Sequence, residues 1–120
     1  MTFLFRIFGK KANSNARPKE LVVFDDVKVV RTMSDGKQET LLWCELEEIA
    51  IITTDEGPFV DDVFWALSGE TTGCLVPSEA EGAKELLIRL QKLPGFNDAV
   101  VVQAMGSTEN AKFICWRKAR

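Results

Sequence analysis

With 120 residues, 46% hydrophobic side chains and a net charge of −3, the chain has the size of one domain and enough apolar content for one ordinary core. No apolar run approaches the roughly 20 residues of a membrane-spanning helix, and the first residues lack the basic stretch and small-residue cleavage site of a secretory signal, so a soluble, cytoplasmic protein is expected. There is no histidine and no tyrosine, which removes the commonest general base and the commonest zinc nitrogen ligand.

The amino-terminal stretch Met1-Thr-Phe-Leu-Phe-Arg-Ile-Phe-Gly-Lys-Lys11 is apolar and basic, and Gly9 to Pro18 reads as a polar linker, leaving residues 20–120 as a single α+β domain. Leu21–Phe24 and Val27–Met33 are rich in β-branched residues. Ser34-Asp-Gly-Lys37 then supplies a glycine-containing turn into Thr40–Trp43, which predicts a hairpin. Trp43, Leu46 and Ile49 fall three apart, the spacing of a tight helical turn before a strand at residues 49–54. After the turn chemistry of Asp55-Glu-Gly-Pro58, Val63, Trp65 and Leu67 alternate with Phe64 and Ala66 as a strand buried on both faces, and Cys74–Val76 returns beside it. Ser78-Glu-Ala-Glu81 has the form of a capping box, so one long amphipathic helix is expected over 79–93, ended by Pro94-Gly95. Residues 98–105 carry three valines in a row, which favour strand, behind an asparagine cap and before a glycine, which favour a short second helix; the helix is preferred. Ala111–Arg117 alternates as a final strand. The expectation is an antiparallel sheet of five to seven strands with these helices.

Charge is segregated. No Lys or Arg occurs between Lys37 and Lys84, while both chain ends are basic. Glu45, Glu47, Glu48, Asp55, Glu56, Asp61 and Asp62 are therefore the candidate surface for a basic protein partner, against the plainer outcome that the basic ends fold back and neutralise them. The carboxylates match no calcium-loop spacing, and no glycine-rich phosphate loop is present, so no metal, cofactor or nucleic acid is expected. Cys44, Cys74 and Cys115, odd in number and without a histidine to activate them, are expected as reduced, inert thiols. Trp43, Trp65 and Trp116 read as core residues. Phe3, Phe5, Ile7 and Phe8, followed by Lys10 and Lys11, form a second candidate: a docking segment for the domain or a second copy of it, or else a peripheral membrane contact.

An antiparallel sheet followed by a capped amphipathic helix, with Trp43-x-x-Leu46-x-x-Ile49 leading into a strand, resembles small bacterial pleckstrin-homology-like domains over residues 20–93. The strand at 112–117 departs from that pattern, which ends on its helix, and no ligand residues carry over. In size, acidity and lack of catalytic groups the chain is similar in type to bacterial toxin-immunity proteins. Three functions follow as expectations: foremost a non-enzymatic protein-binding module such as an immunity-type inhibitor, then a peripheral membrane domain, then a small ligand-binding protein or enzyme.

Overall fold

The computed structural model describes residues 20–55 and 63–119. Strands β1 (Leu21–Phe24), β2 (Lys28–Thr32) and β3 (Gln38–Leu42) form a three-stranded antiparallel sheet in that order. Its turns are made by short acidic side chains that bond to their own backbone. Asp25 Oδ1 accepts from Val27 N at 2.8 Å and Lys28 N at 2.9 Å, which holds its carboxyl below the usual carboxylate range. Asp35 accepts from Lys37 N beside Gly36, whose φ of 91° suits glycine.

The expectation of one continuous sheet is corrected: the described residues form two. Past Leu42 the chain makes a single 3-10 turn over Trp43–Glu45, closed by Leu46 N donating to Trp43 O, and leaves the first sheet. It re-emerges as β4 (Glu48–Thr53), followed by β5 (Val63–Ser68), β6 (Gly73–Pro77) and, after both helices, β7 (Ala111–Arg117). These pair antiparallel in the order β6-β5-β4-β7, so the last strand lies beside β4 with a bulge at Ile49/Ala50. Tight turning at 43–46 is what the threefold spacing of Trp43, Leu46 and Ile49 anticipated. Its effect on sheet continuity lay in pairing between distant residues.

Among the described residues two helices of eight residues cover the core, α1 (Ala83–Leu90) and α2 (Asp98–Met105). The expected long helix over 79–93 is thus shorter, and Ser78 does not cap it. Ser78 N instead donates to Val63 O, prolonging the β5–β6 ladder, and Glu81 bridges β1 in parallel through Val22 N to Glu81 O and Glu81 N to Glu20 O, both 2.8 Å. The helix begins only at Gly82, with φ 92° and no side-chain cap. The helix preferred at 98–105 is present, its first amides bonded by Asn97.

The core collects one face of each sheet: Val22, Val29 and Leu41 from the first, Ile49, Ile51, Trp65, Leu67 and Val76 from the second, with Leu86, Leu90, Val101 and Ala104 from the helices. Each of the largest is fully buried, worth about 1.5–3 kcal/mol apiece over exposure. Of the three tryptophans expected there, only Trp65 is buried. Trp43 and Trp116 are half-buried and use their indole N–H to hold neighbouring backbone, on Asp25 O at 2.7 Å and Pro94 O at 2.9 Å.

Candidate functional site

The candidate carboxylates do not share one environment. Glu48 lies at the start of β4 opposite Arg117, and bonds Lys112 at 3.0 Å and Arg117 at 3.1 Å. Its bond to Lys112, with that to Arg117 added, outweighs partial burial and holds the carboxyl below its ordinary range. Glu45 reaches back to accept from Leu42 N at 3.4 Å, capping the 3-10 turn, and Glu47 is half-buried with its backbone bonded to Ser68 and Lys118. Asp55 is exposed, its amide donating to Asn110. Glu56, Asp61 and Asp62 lie outside the described residues, as do Phe3, Phe5, Ile7, Phe8, Lys10 and Lys11. Another acidic residue of the middle stretch, Glu39, is also engaged: it bonds Arg31 at 3.0 Å and accepts from Leu75 N, joining the two sheets. Arg31 holds Glu20 as well, at 2.6 Å. Burial lowers the pKa of this guanidinium, but the two carboxylates outweigh burial and leave it raised.

The second sheet presents a different kind of surface on the side away from the core. Paired residues share a face, so the register sets out three rows across the four strands: Gly73–Ser68–Glu48–Arg117, Leu75–Ala66–Ala50–Ile114 and Pro77–Phe64–Ile52–Lys112. The middle row runs large, small, small, large. Ala66 thereby floors a trough beside Leu75, while Ala50 next to it is buried beneath its larger neighbours, with Phe64 and Ile52 along one side and the Glu48 ion cluster at one corner. Among the described residues, Ile52, Phe64, Ala66, Leu75 and Ile114 belong neither to the core cluster nor to the side chains packed on it. This corrects the reading of β5 as buried on both faces: Val63, Trp65 and Leu67 face the core, whereas Phe64 and Ala66 are half-buried on the other side. A shallow hollow of about 380 Å³ adjoins the trough where β6 meets β3, lined by Glu39, Ala66, Ser68, Gly73, Cys74 and Leu75.

The other chemistry-bearing groups are dispersed. Cys74 and Cys115 are buried and their thiols pushed up to about 11 by burial, whereas Cys44 is exposed on the 3-10 turn. Among the described residues no three Cys, Asp or Glu side chains are grouped as metal ligands, and no helix is long and apolar enough to cross a membrane. No protein-family model matches this chain, and no curated protein or solved structure matches it significantly. Sequence reasoning passed over the trough because its members alternate with core residues in β4, β5 and β7. The available signal was the pair Phe64 and Ala66, apolar residues at outward positions of a half-buried strand.

Proposed function

We propose that the chain is a non-enzymatic protein-binding module that uses the solvent side of the four-stranded sheet, receiving a bulky apolar side chain of a basic partner segment in the trough at Ala66. The observation that carries this reading is the set Leu75, Ala66, Phe64, Ile52 and Ile114, an apolar surface outside the core cluster that surrounds the buried Ala50 and has charged residues at its margins. An apolar centre with a polar rim is the usual plan of a protein interface, and a large side chain entering a small-floored pocket is where binding energy concentrates. The carboxylates play the lesser part. Glu48 already holds two bases, so exposed acids such as Asp55 and Glu70 would act on encounter rate and partner choice more than on affinity. An immunity-type inhibitor is the specific form this reading takes if the partner is a toxin.

The test is selection from a random displayed-peptide library on the full chain, followed by affinity measurement with the winners. Selected peptides should combine Phe or Leu with Lys or Arg. Leu75→Glu or Ala66→Glu, checked for folding by circular dichroism, should weaken them at least tenfold, and Val23→Glu on the three-stranded sheet should not. Their association rate should fall with salt, as screening beyond about 8 Å at physiological ionic strength requires. Peptides that bind equally well to both trough variants would end this proposal.

A further inference from the structure

We infer that the trough has an occupant within the same chain: the amino-terminal segment Phe3-Leu-Phe-Arg-Ile-Phe-Gly-Lys-Lys11, which a partner must displace. This rests on the reading of the trough as a binding surface, and three observations select the segment and the face.

The first is shape and chemistry. The segment offers three phenylalanines, a leucine and an isoleucine within six positions, and the trough offers a floor of Ala66, Ser68 and Gly73 opening into the hollow beside Leu75. The outward face of the three-stranded sheet, the competing apolar surface, is floored instead by Leu21, Val23, Val30, Thr32, Thr40 and Leu42, and has no such depression between paired small residues.

The second is charge. Residues 1–19 carry Arg6, Lys10, Lys11, Arg17 and Lys19 and no acid. The exposed Glu70 lies in the turn between Ser68 and Gly73 at the hollow end of the trough, and Glu39, shared with Arg31, lines the hollow, whereas on the three-stranded sheet Lys28 stands opposite Asp25, whose carboxylate is taken up by the Val27 and Lys28 amides. Lys112 and Arg117 stand on the β7 side, away from the hollow, and both are held by Glu48.

The third is reach. Glu20 O accepts from Glu81 N, and Pro77, four positions before Glu81, pairs with Phe64. Two such spacings and residues 78–81 make a path of about 25 Å at most, while residues 9–19 extended would span roughly 35 Å. The linker is long enough to lay residues 3–8 across the trough of its own sheet without help from a second molecule.

The experiment places the photoreactive residue p-benzoylphenylalanine at position 5 of the full chain, irradiates it, and locates cross-links by mass spectrometry. The expected result is a cross-linked monomer, independent of protein concentration, joined to peptides carrying Phe64, Leu75 or Ile114. Cross-links to residues 21–42, a dimer that grows with concentration, attachment to lipid in anionic vesicles alone, or no cross-link at all would each overturn the inference. A second measurement reads displacement. Replacing Phe3, Phe5 and Phe8 together by Ser should tighten the selected peptides about fivefold or more, because the competent fraction of trough sites rises; unchanged affinity overturns the inference too. Failure here leaves the binding role of the trough intact, while an intrachain cross-link together with peptides indifferent to Leu75→Glu would remove the binding role and keep the intrachain contact.

Discussion

The two helices have the same length and begin in opposite ways. α2 starts from its own sequence: Asn97 has extended backbone, and its side-chain oxygen accepts from Ala99 N at 3.1 Å and Val100 N at 3.3 Å. Helix α1 starts from its surroundings. Residues 78–81 bond to β5 and β1, and the chain turns into the helix only through the left-handed Gly82, which leaves the first amides without a side-chain cap. A local signal therefore governs a helix start when the preceding residues have no other partner, and loses when a sheet edge competes for the same backbone.

The largest effect expected from breaking this contrast is at Gly82. A Cβ there would come 2.2 Å from Val22 O, on a backbone with φ 92° that L side chains rarely adopt. Left-handed strain of about 1–2 kcal/mol adds to the loss of the bridge to β1, at about 0.5–1.5 kcal/mol per bond. Gly82→Ala should cost about 2–5 kcal/mol, a large share of the 5–15 kcal/mol typical of a domain. A urea midpoint within experimental error of the parent protein would show that the helix start tolerates a right-handed alternative.

Asn97→Ala should cost about 1 kcal/mol. The main-chain bond from Asn97 N to Cys115 O at 2.9 Å survives the substitution, so the loss reports on the side-chain cap alone. Asn97→Asp should retain or slightly raise stability, since a carboxylate also accepts these bonds and suits the positive end of a helix. A drop for Asp as large as that for Ala would assign the role of Asn97 to something other than capping.

A smaller effect is expected at the far end of α1, where the Arg89 guanidinium lies 4.6 Å from the Trp43 ring centroid, and Trp43 in turn meets Phe24 edge-on. This contact ties α1 to the first sheet as the Gly82 bridge does at its start. Arg89→Met keeps most of the apolar stem and removes the cation, so it should cost about 0.5–1 kcal/mol. The loss should disappear in a Trp43→Leu background, and a cost that persists there would mean that Arg89 acts elsewhere.

The same division between local and distant pairing explains what the sequence made legible. The hairpin through Gly36, the turn at Trp43–Glu45, the cap at Asn97 and the alternation of β7 were readable because each depends on neighbours within about four positions. The separation into two sheets was not, because hydrophobic alternation identifies the faces of a strand and not the strand beside it. That β7 joins β4 rather than the edge at β6 is decided over some 60 positions. The candidate site follows suit. A run without Lys or Arg marked the carboxylates, but the partners of Glu48 come from β7, and the trough exists only once β5, β4 and β7 lie side by side with Ala66, Ala50 and Ile114 in register.

The smallest expected effect is also the most discriminating, because sequence and structure give different answers for it. As the cap of a helix beginning at Glu79, Ser78 should contribute about 1 kcal/mol, lost on substitution by Ala. In the fold it stands one residue past β6, its N–H donating to Val63 O at 2.9 Å, with Ala80 N turned to Pro77 O and the first helical amide bond, Leu86 N to Gly82 O, four positions beyond the start that the capping box implied. Ser78→Ala keeps that backbone donor and removes only a hydroxyl on a half-buried residue, so the denaturation midpoint should move by a few tenths of a kcal/mol at most. Ser78→Pro removes the donor itself. Because the lost bond closes the β5–β6 ladder beside Phe64, that variant should cost about 1 kcal/mol or more and loosen the wall of the trough. If Ser78→Ala instead costs as much as Asn97→Ala, the helix begins at residue 79 in solution, and the parallel bridge between Glu81 and β1 must be given up.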